Sequence, residues 1–271
     1  MDCLDQRIAI IGCGTMGAAI LGGLLAAGKV TASQVHVTAR RDSIAASLAS
    51  RFGVTASTDN AAAARSADVI LLCVKPQAAE GVLCADGVAD AMRGRLLISL
   101  CAGVTLSKLS GWLPGVALVR AMPNTPCLIR EGMTVVAPGP GATDQHMATA
   151  DAIFGSVGRC LQLQEKHMDA VTGLSGSGPA FACVIVESLA DGGVMMGLPR
   201  DVAVELAAQT VQGAARLVLT SGAHPAALKD EVTTPAGCTI AGLLHMEDGR
   251  IRSTLARTVQ EATRVAAGLG D

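Results

Sequence analysis

The sequence predicts an α/β protein, a doubly wound parallel β-sheet followed by an all-helical segment. Three observations carry that prediction. Short apolar runs alternate with helix-like stretches through the first part of the chain. Those runs are unbroken rather than alternating, as expected of strands buried on both faces. Beyond residue 164 the strand signal nearly vanishes. The 271 residues leave room for two domains at about 150 residues each, expected at 1–164 and 165–271.

In chain order, Arg7–Ile11 reads as a strand, followed by a helix over 15–27 that Gly28 ends. Val35–Ala39 is a second strand and Ser43–Phe52 a second helix, closed by Gly53. Val69–Val74, Leu96–Leu100 and Val116–Ala121 continue the series, and Thr134–Ala137 and Cys160–Leu163 complete it. Repeated strand–helix units imply a sheet with right-handed crossovers. The second part offers helices over 179–197, 199–220 and 250–268, with Pro199 in a first turn where proline is at home. Phe181–Ala190 is apolar nearly all round, and such a helix must be covered on every side. About a hundred residues can hardly do that alone, so the segment is expected to pack on a second subunit; burial within one chain is the alternative.

Composition closes off several functions. The chain has one tryptophan, three phenylalanines and no tyrosine, so it lacks stacking platforms for bases and cannot use a catalytic tyrosine. Twenty-one basic against 23 acidic residues leave a net charge of −2, no footprint for nucleic acid. The nine cysteines form no C-x-x-C pair and read as small thiols in a reducing cytoplasm; no metal site is expected. Ile8–Gly28 is uncharged and long enough for a bilayer. Its glycines split it into strand, turn and helix, and Asp2 and Asp5 spoil a signal peptide's basic start, so no membrane association is expected.

Gly12-Cys13-Gly14-Thr15-Met16-Gly17 fits G-x-G-x-x-G, after a strand and opening a helix, the context that makes the pattern informative. It marks a Rossmann-type dinucleotide site. Gly12 permits the tight turn, Gly14 lets pyrophosphate approach, and Gly17 lets helix and strand pack closely, with phosphates at the helix N-terminus where Thr15 and Met16 follow. At the tip of the second strand, where an NAD site carries an acidic residue, the chain reads Thr38-Ala39-Arg40-Arg41. Two guanidiniums suit a 2′-phosphate, which favours NADPH, with NADH as the alternative; a solvated arginine pair is the plainer reading. Asp42 is expected to cap the next helix.

Three further loops follow strands: Val74-Lys75-Pro76-Gln77, Ser99–Val104 and Met122-Pro123-Asn124-Thr125-Pro126. Downstream stand Thr172-Gly173-Leu174-Ser175-Gly176-Ser177-Gly178-Pro179-Ala180, Asp191-Gly192-Gly193, Gly197-Leu198-Pro199-Arg200, His224-Pro225 and Val232-Thr233-Thr234-Pro235-Ala236-Gly237-Cys238-Thr239-Ile240. In order and over essentially the whole chain, these motifs resemble those of the pyrroline-5-carboxylate reductase family. The resemblance implies reduction of the cyclic imine 1-pyrroline-5-carboxylate by NAD(P)H, the last step of L-proline biosynthesis. It also implies a helical dimerisation domain that builds an interlocked dimer, five of which form a decamer in many members. By the same resemblance, Val74, Lys75, Pro76 and Ala102 lie along the nicotinamide end and Asn60 near the adenine-side ribose. The segment Val232 to Thr239 holds the substrate carboxylate, with Thr172 facing the pocket. The family's S-P-G-G-(T/A)-T has Ala236 at its first glycine here, and a Cβ resists left-handed backbone. Ala39, where relatives often carry a small polar residue, leaves adenine-side hydrogen bonding to Thr38 and the arginines.

The chemistry agrees with the residues. Reducing C=N needs hydride at carbon and a proton at nitrogen, and a protonated imine is already electrophilic. Thr239 is the candidate catalytic residue, a hydroxyl able to hydrogen-bond the ring nitrogen; capping its helix is its plainer role. Backbone N–H groups around Thr234, Gly237, Cys238 and Thr239 are expected to bind the carboxylate, with Val232 beside them. Thr172 has a local helix contact as its alternative, Lys75 a loop charge, and Asn124 is better placed to fix its loop than to do chemistry. Two other functions are weighed. A β-hydroxyacid dehydrogenase needs a lysine soon after the glycine-rich turn, and none occurs between Gly178 and Lys229. A non-catalytic NADP(H)-binding scaffold is the other.

Overall fold

A computed structural model describes residues 3–269. The strands are β1 (Ile8–Ile11), β2 (Val35–Thr38), β3 (Thr55–Ser57), β4 (Val69–Leu72), β5 (Leu96–Ser99), β6 (Ala117–Met122), β7 (Gly132–Pro138) and β8 (Gly158–Gln162). Between them lie α1 (Thr15–Ala26), α2 (Asp42–Phe52), α3 (Asn60–Arg65), α4 (Ala79–Leu83), α5 (Val88–Ala91), α6 (Leu106–Trp112) and α7 (Asp144–Gly155). The sheet order is β3-β2-β1-β4-β5-β6-β7-β8. The winding reverses between β1 and β4, the point outside whose strand ends such sheets bind ligands.

The unbroken apolar runs have a direct cause. Along β1, Ile8 and Ile10 enter the layer of α1, α2 and α7, whereas Ala9 and Ile11 enter the layer of α3 to α6. Both faces of the strand are dry, so neither tolerates a polar alternation. Phe154 on α7 lies fully buried in the first of these layers.

Two features depart from the expected sheet. β3 is an extra strand, three residues of T-A-S pairing parallel with β2 at the sheet edge, too short and too polar to register as an apolar run. β7 runs antiparallel to β6, so the sheet is mostly rather than wholly parallel. The physical reason lies in the connection: between Met122 and Gly132 there is one 3-10 turn, Thr125–Ile129, and a parallel return needs a crossover of a dozen residues or more.

By compactness the chain forms two units. One runs to Ser177 and includes the residues from Glu261 onward; the other is Gly178–Gln260. The change of sequence pattern at residue 164 and the change of packing at Ser177 are therefore distinct. Residues after 164 stay with the sheet because α8 (Met168–Val171) buries Met168 and Val171 against Val135 and Ala137 of β7. Charge holds them too. Arg120 on β6 is buried and pairs with Glu165 at 3.3 Å and Asp169 at 3.6 Å, while Glu165 also accepts the Leu106 N–H at 2.6 Å.

The remaining helices are α9 (Gly178–Met195), α10 (Arg200–Ser221), α11 (Pro225–Glu231), α12 (Cys238–Asp248) and α13 (Ile251–Ala267). Within α9 and α10 only Ala190, Ala203 and Ala207 are buried. Val184, Leu189, Met195, Leu206 and Leu219 are at least half exposed, Met195 by 87%. Three alanines are no core, so the unit presents its apolar faces outward.

The Arg120 network sets an asymmetric expectation. Its guanidinium is 5% exposed, whereas the carboxylates of Glu165 and Asp169 are 31% and 41% exposed. Glu165→Gln with Asp169→Asn strands a buried cation and is expected to cost about 3 kcal/mol or more. Arg120→Met leaves carboxylates that reach water and should cost less. Urea midpoints compare the two directly.

Candidate cofactor and substrate site

The loop from β1 into α1 is shaped by contact with the end of β4. Gly12 has φ +77°, and a Cβ there would collide with the Val74 side chain and stand 3.1 Å from its backbone nitrogen. Only glycine meets both demands. Gly17 serves packing: a Cβ on it would lie 3.0 Å from Ile10 Cγ2, so α1 rides close on β1. Gly14 is the N-cap of α1, extended, without a side-chain cap and with no acidic residue in the first turn. The opening N–H groups of the helix, at Thr15, Met16 and Gly17, therefore have no partner within it. This uncapped, positively polarised end with an open glycine before it fits a pyrophosphate.

The loop is bracketed from behind. The Gly12 N–H donates to Thr38 Oγ1 at 3.2 Å, the Cys13 N–H to the Thr38 carbonyl at 2.7 Å, and the Thr38 hydroxyl to Asn60 Oδ1 at 2.7 Å. Thr38 is 1% exposed. Its hydroxyl is committed to the glycine loop, so the expected adenine-side contact from Thr38 is replaced by a supporting role. Asn60, half-buried at the start of α3, keeps its amide NH2 without a partner among the described residues.

Arg40 and Arg41 stand exposed just beyond β2, and neither makes an ion pair among the described residues. The expected cap, Asp42, is corrected: Arg41 is the N-cap of α2 and Asp42 its first residue. The Asp42 carboxylate accepts from the Thr58 hydroxyl at 3.2 Å and still benefits from the helix dipole.

At the loops expected to border the nicotinamide, the Val74 carbonyl accepts from the Cys101 thiol at 3.4 Å, tying the loop after β4 to the loop after β5. Lys75 is exposed and precedes a 3-10 turn opened by Pro76; Ala102 is half-buried beside Cys101. Beneath these loops three thiols gather. Burial pushes Cys13 up to about 12 and Cys101 up to about 11. Burial also raises Cys73 well above its ordinary value, with Cys13 and Cys101 adding to it. Neutral thiols put no negative charge under a phosphate.

Thr172 opens a π-turn over Thr172–Gly176. It is buried, and its hydroxyl donates to the Met168 carbonyl at 2.8 Å, so the local helix contact is present. In the other unit, Thr234-Pro235-Ala236-Gly237 is a β-turn closed by the Gly237 N–H on the Thr234 carbonyl at 3.1 Å. Ala236 has φ +58°, so the left-handed backbone that its Cβ disfavours is adopted nonetheless. With proline before it this is a type II turn, whose third position normally holds glycine. Gly237 is the N-cap of α12 and no side chain caps that helix. Thr239, at its second residue and half-exposed, is thus not the cap. Val232, Thr234 and Cys238 are exposed. The N–H groups of Cys238, Thr239 and Ile240 open this helix as those of Thr15 to Gly17 open α1.

A family model described as pyrroline-5-carboxylate reductase dimerisation matches residues 165–269. One described as NADP oxidoreductase, coenzyme F420-dependent, matches residues 7–103. The pyrroline-5-carboxylate reductase of Schizosaccharomyces pombe is 42% identical, the match covering 96% of this chain and 98% of that protein. This chain belongs to the pyrroline-5-carboxylate reductase family. The reductase of Methanosarcina acetivorans is 41% identical over 98% of both chains. Among solved structures, the pyrroline-5-carboxylate reductase of Coxiella burnetii superposes with a TM-score of 0.92 at 32% identity, covering 99% of this chain and all of that one. The Plasmodium falciparum pyrroline carboxylate reductase, solved with NADP bound, gives 0.88 at 29% identity, covering 99% of this chain and 100% of that one. Family membership also disposes of the hydroxyacid dehydrogenase alternative.

The loop-fixing role expected of Asn124 is present, through its hydrogen bonds to Met133 and Ser175. Arg120, whose ion pairs hold Glu165 and Asp169, escaped the sequence reading, although a charge within a buried strand was a visible signal for it.

Proposed function

We propose that this member of the pyrroline-5-carboxylate reductase family reduces 1-pyrroline-5-carboxylate to L-proline with NADPH. The observation that carries the reading is identity above 40% over nearly the full length of reductases so named. The cofactor would be held by Gly12, Gly14 and the N–H groups of Thr15, Met16 and Gly17, with Asn60 on the adenine side. Val74, Lys75, Pro76 and Ala102 would border its nicotinamide end. Arg40 and Arg41, without an ion pair among the described residues, suit a 2′-phosphate. When bound, NADPH supplies a hydride to the ring carbon of the imine.

The substrate carboxylate falls to the N–H groups of Cys238 and Thr239, beside Thr234 and Val232; Pro235 has none to give, and the Gly237 N–H, expected to bind it too, is taken by the Thr234 carbonyl. Hydrogen bonds to a charged group contribute roughly 1.5–3 kcal/mol each. The Thr239 hydroxyl is assigned to the ring nitrogen, and Thr172 supports its own turn more directly than it serves the substrate.

The exposed apolar faces of α9 and α10 support self-association through the helical part, consistent with the family's dimerisation model. The run Glu165–Met195 is apolar and long enough to cross a membrane, but it is broken by the π-turn and carries Glu165, Lys166, Asp169, Glu187 and Asp191. A second copy is therefore the better cover. Assembly of such dimers into a decamer is the family expectation. The nine free thiols support a reducing, cytoplasmic setting.

NADPH absorbance is expected to fall only when the imine is added; NADPH bound but never consumed would instead indicate the scaffold. In the same assay Arg40→Ala with Arg41→Ala should raise KM for NADPH by about 10- to 100-fold, the equivalent of one strong charged contact, and leave KM for NADH unchanged. An unaltered ratio of the two KM values would withdraw the arginines from the cofactor site. Thr239→Ala should lower kcat about ten-fold or more with a smaller change in KM, as for a contact that strengthens in the transition state. A change in KM alone would place Thr239 in ground-state binding.

A further inference from the structure

Asn124 follows β6 at the carboxyl edge, between Pro123 and Thr125, and is 9% exposed. Its amide spans two elements. Oδ1 accepts the Met133 N–H of β7 at 2.8 Å, and Nδ2 donates to the Ser175 carbonyl at 3.1 Å. These partners, one a donor and the other an acceptor, fix which way the amide points.

Ser175 lies within the π-turn Thr172–Gly176, where the Ser177 N–H reaches the Thr172 carbonyl at 2.9 Å. In a regular helix the Ser175 carbonyl would accept from residue 179. That residue is Pro179 and has no N–H, so Asn124 brings a donor that the helix lacks. Contact reinforces the clamp: a Cβ on Gly176 would stand 2.7 Å from Met122 Cε, so the turn sits directly on the end of β6. Single π-turns inside helices occur frequently at functional sites.

We infer that Asn124 is a positioning residue for the imine reduction, locking the π-turn of Thr172 to Gly176 onto the same sheet edge that carries the cofactor loops. The inference deepens the reductase reading and rests on it. Asn124 transfers neither hydride nor proton; it acts through the geometry of the turn it holds.

Asn124→Asp tests this without removing the acceptor that Met133 uses. Its carboxylate would face the Ser175 carbonyl with negative charge, whereas its protonated form has an O–H that restores the donor. In the full-length protein at pH 8, kcat is expected to fall about ten-fold or more, the effect of roughly one lost contact to the turn, with the NADPH dissociation constant within about two-fold of wild type. Relative to wild type, the deficit should narrow several-fold as pH is lowered toward about 5.5, since burial raises a carboxyl's pKa. Asn124→Ala should show a similar deficit that does not narrow. A kcat near wild type in either variant, or a deficit for Asp that ignores pH, would overturn the inference. So would loss of cooperative unfolding in both variants, since Asn124 would then serve stability alone. Wild type in the same assay separates the two claims: no imine-dependent oxidation defeats the reductase reading and its clamp, whereas an active wild type with an unaffected Asn124→Asp defeats the clamp alone.

Discussion

The ends of β1 and β4 come so close at the point where the sheet reverses its winding that residue 12 has no room for a side chain. A Cβ at Gly12 would run into Val74, and the backbone there is left-handed. Much of the cofactor edge depends on that contact. It turns the chain sharply enough for α1 to begin with its N–H groups open, and it brings the loop after β4 under the glycine turn. The bracket of Thr38 and Asn60 then fixes the turn from the other side. Beneath it Cys13, Cys73 and Cys101 are neutral through burial, so no thiolate opposes a phosphate there. An anion of the shape and charge of NADPH meets no opposing carboxylate in the glycine turn itself.

The helical unit follows a different rule. Its exposed leucines, valines and methionines outnumber its three buried alanines in α9 and α10, so hydrophobic burial of the kind that stabilises the sheet unit must come from association. The segment Val232 to Thr239 in this unit has a type II turn with alanine at the position that favours glycine. A left-handed alanine costs roughly 1–2 kcal/mol. The turn persists because Gly237 packs against Thr234 and α12 starts immediately after it, so the geometry is over-determined by its neighbours.

Much of this was legible in the sequence because it depends on local pattern. The glycine loop lies between an apolar run and an alanine-rich helix, and the strands of the first part are where unbroken hydrophobicity places them. The motif order from Thr172 to Ile240 identifies the family. What escaped depends on third partners that no pattern encodes. The reversal of β7 follows from a connection without a crossover helix, whose absence between Met122 and Gly132 could have been noticed. The commitment of the Thr38 hydroxyl to Gly12 and Asn60, of Thr172 to Met168, and of the Asn124 amide to Met133 and Ser175 required side-chain distances. Ala236 shows the limit of a propensity argument: a preference of that size yields when the flanking elements agree on the turn.

The most direct test of the central claim, that the Gly12–Val74 approach builds the cofactor cradle, is the NADPH dissociation constant of Gly12→Ala, measured by calorimetric titration on protein that retains cooperative unfolding. The added methyl must displace the Val74 loop or the glycine turn, and affinity should fall about a hundred-fold or more, the equivalent of roughly 3 kcal/mol. An affinity within about three-fold of wild type would show that the cradle does not depend on that contact.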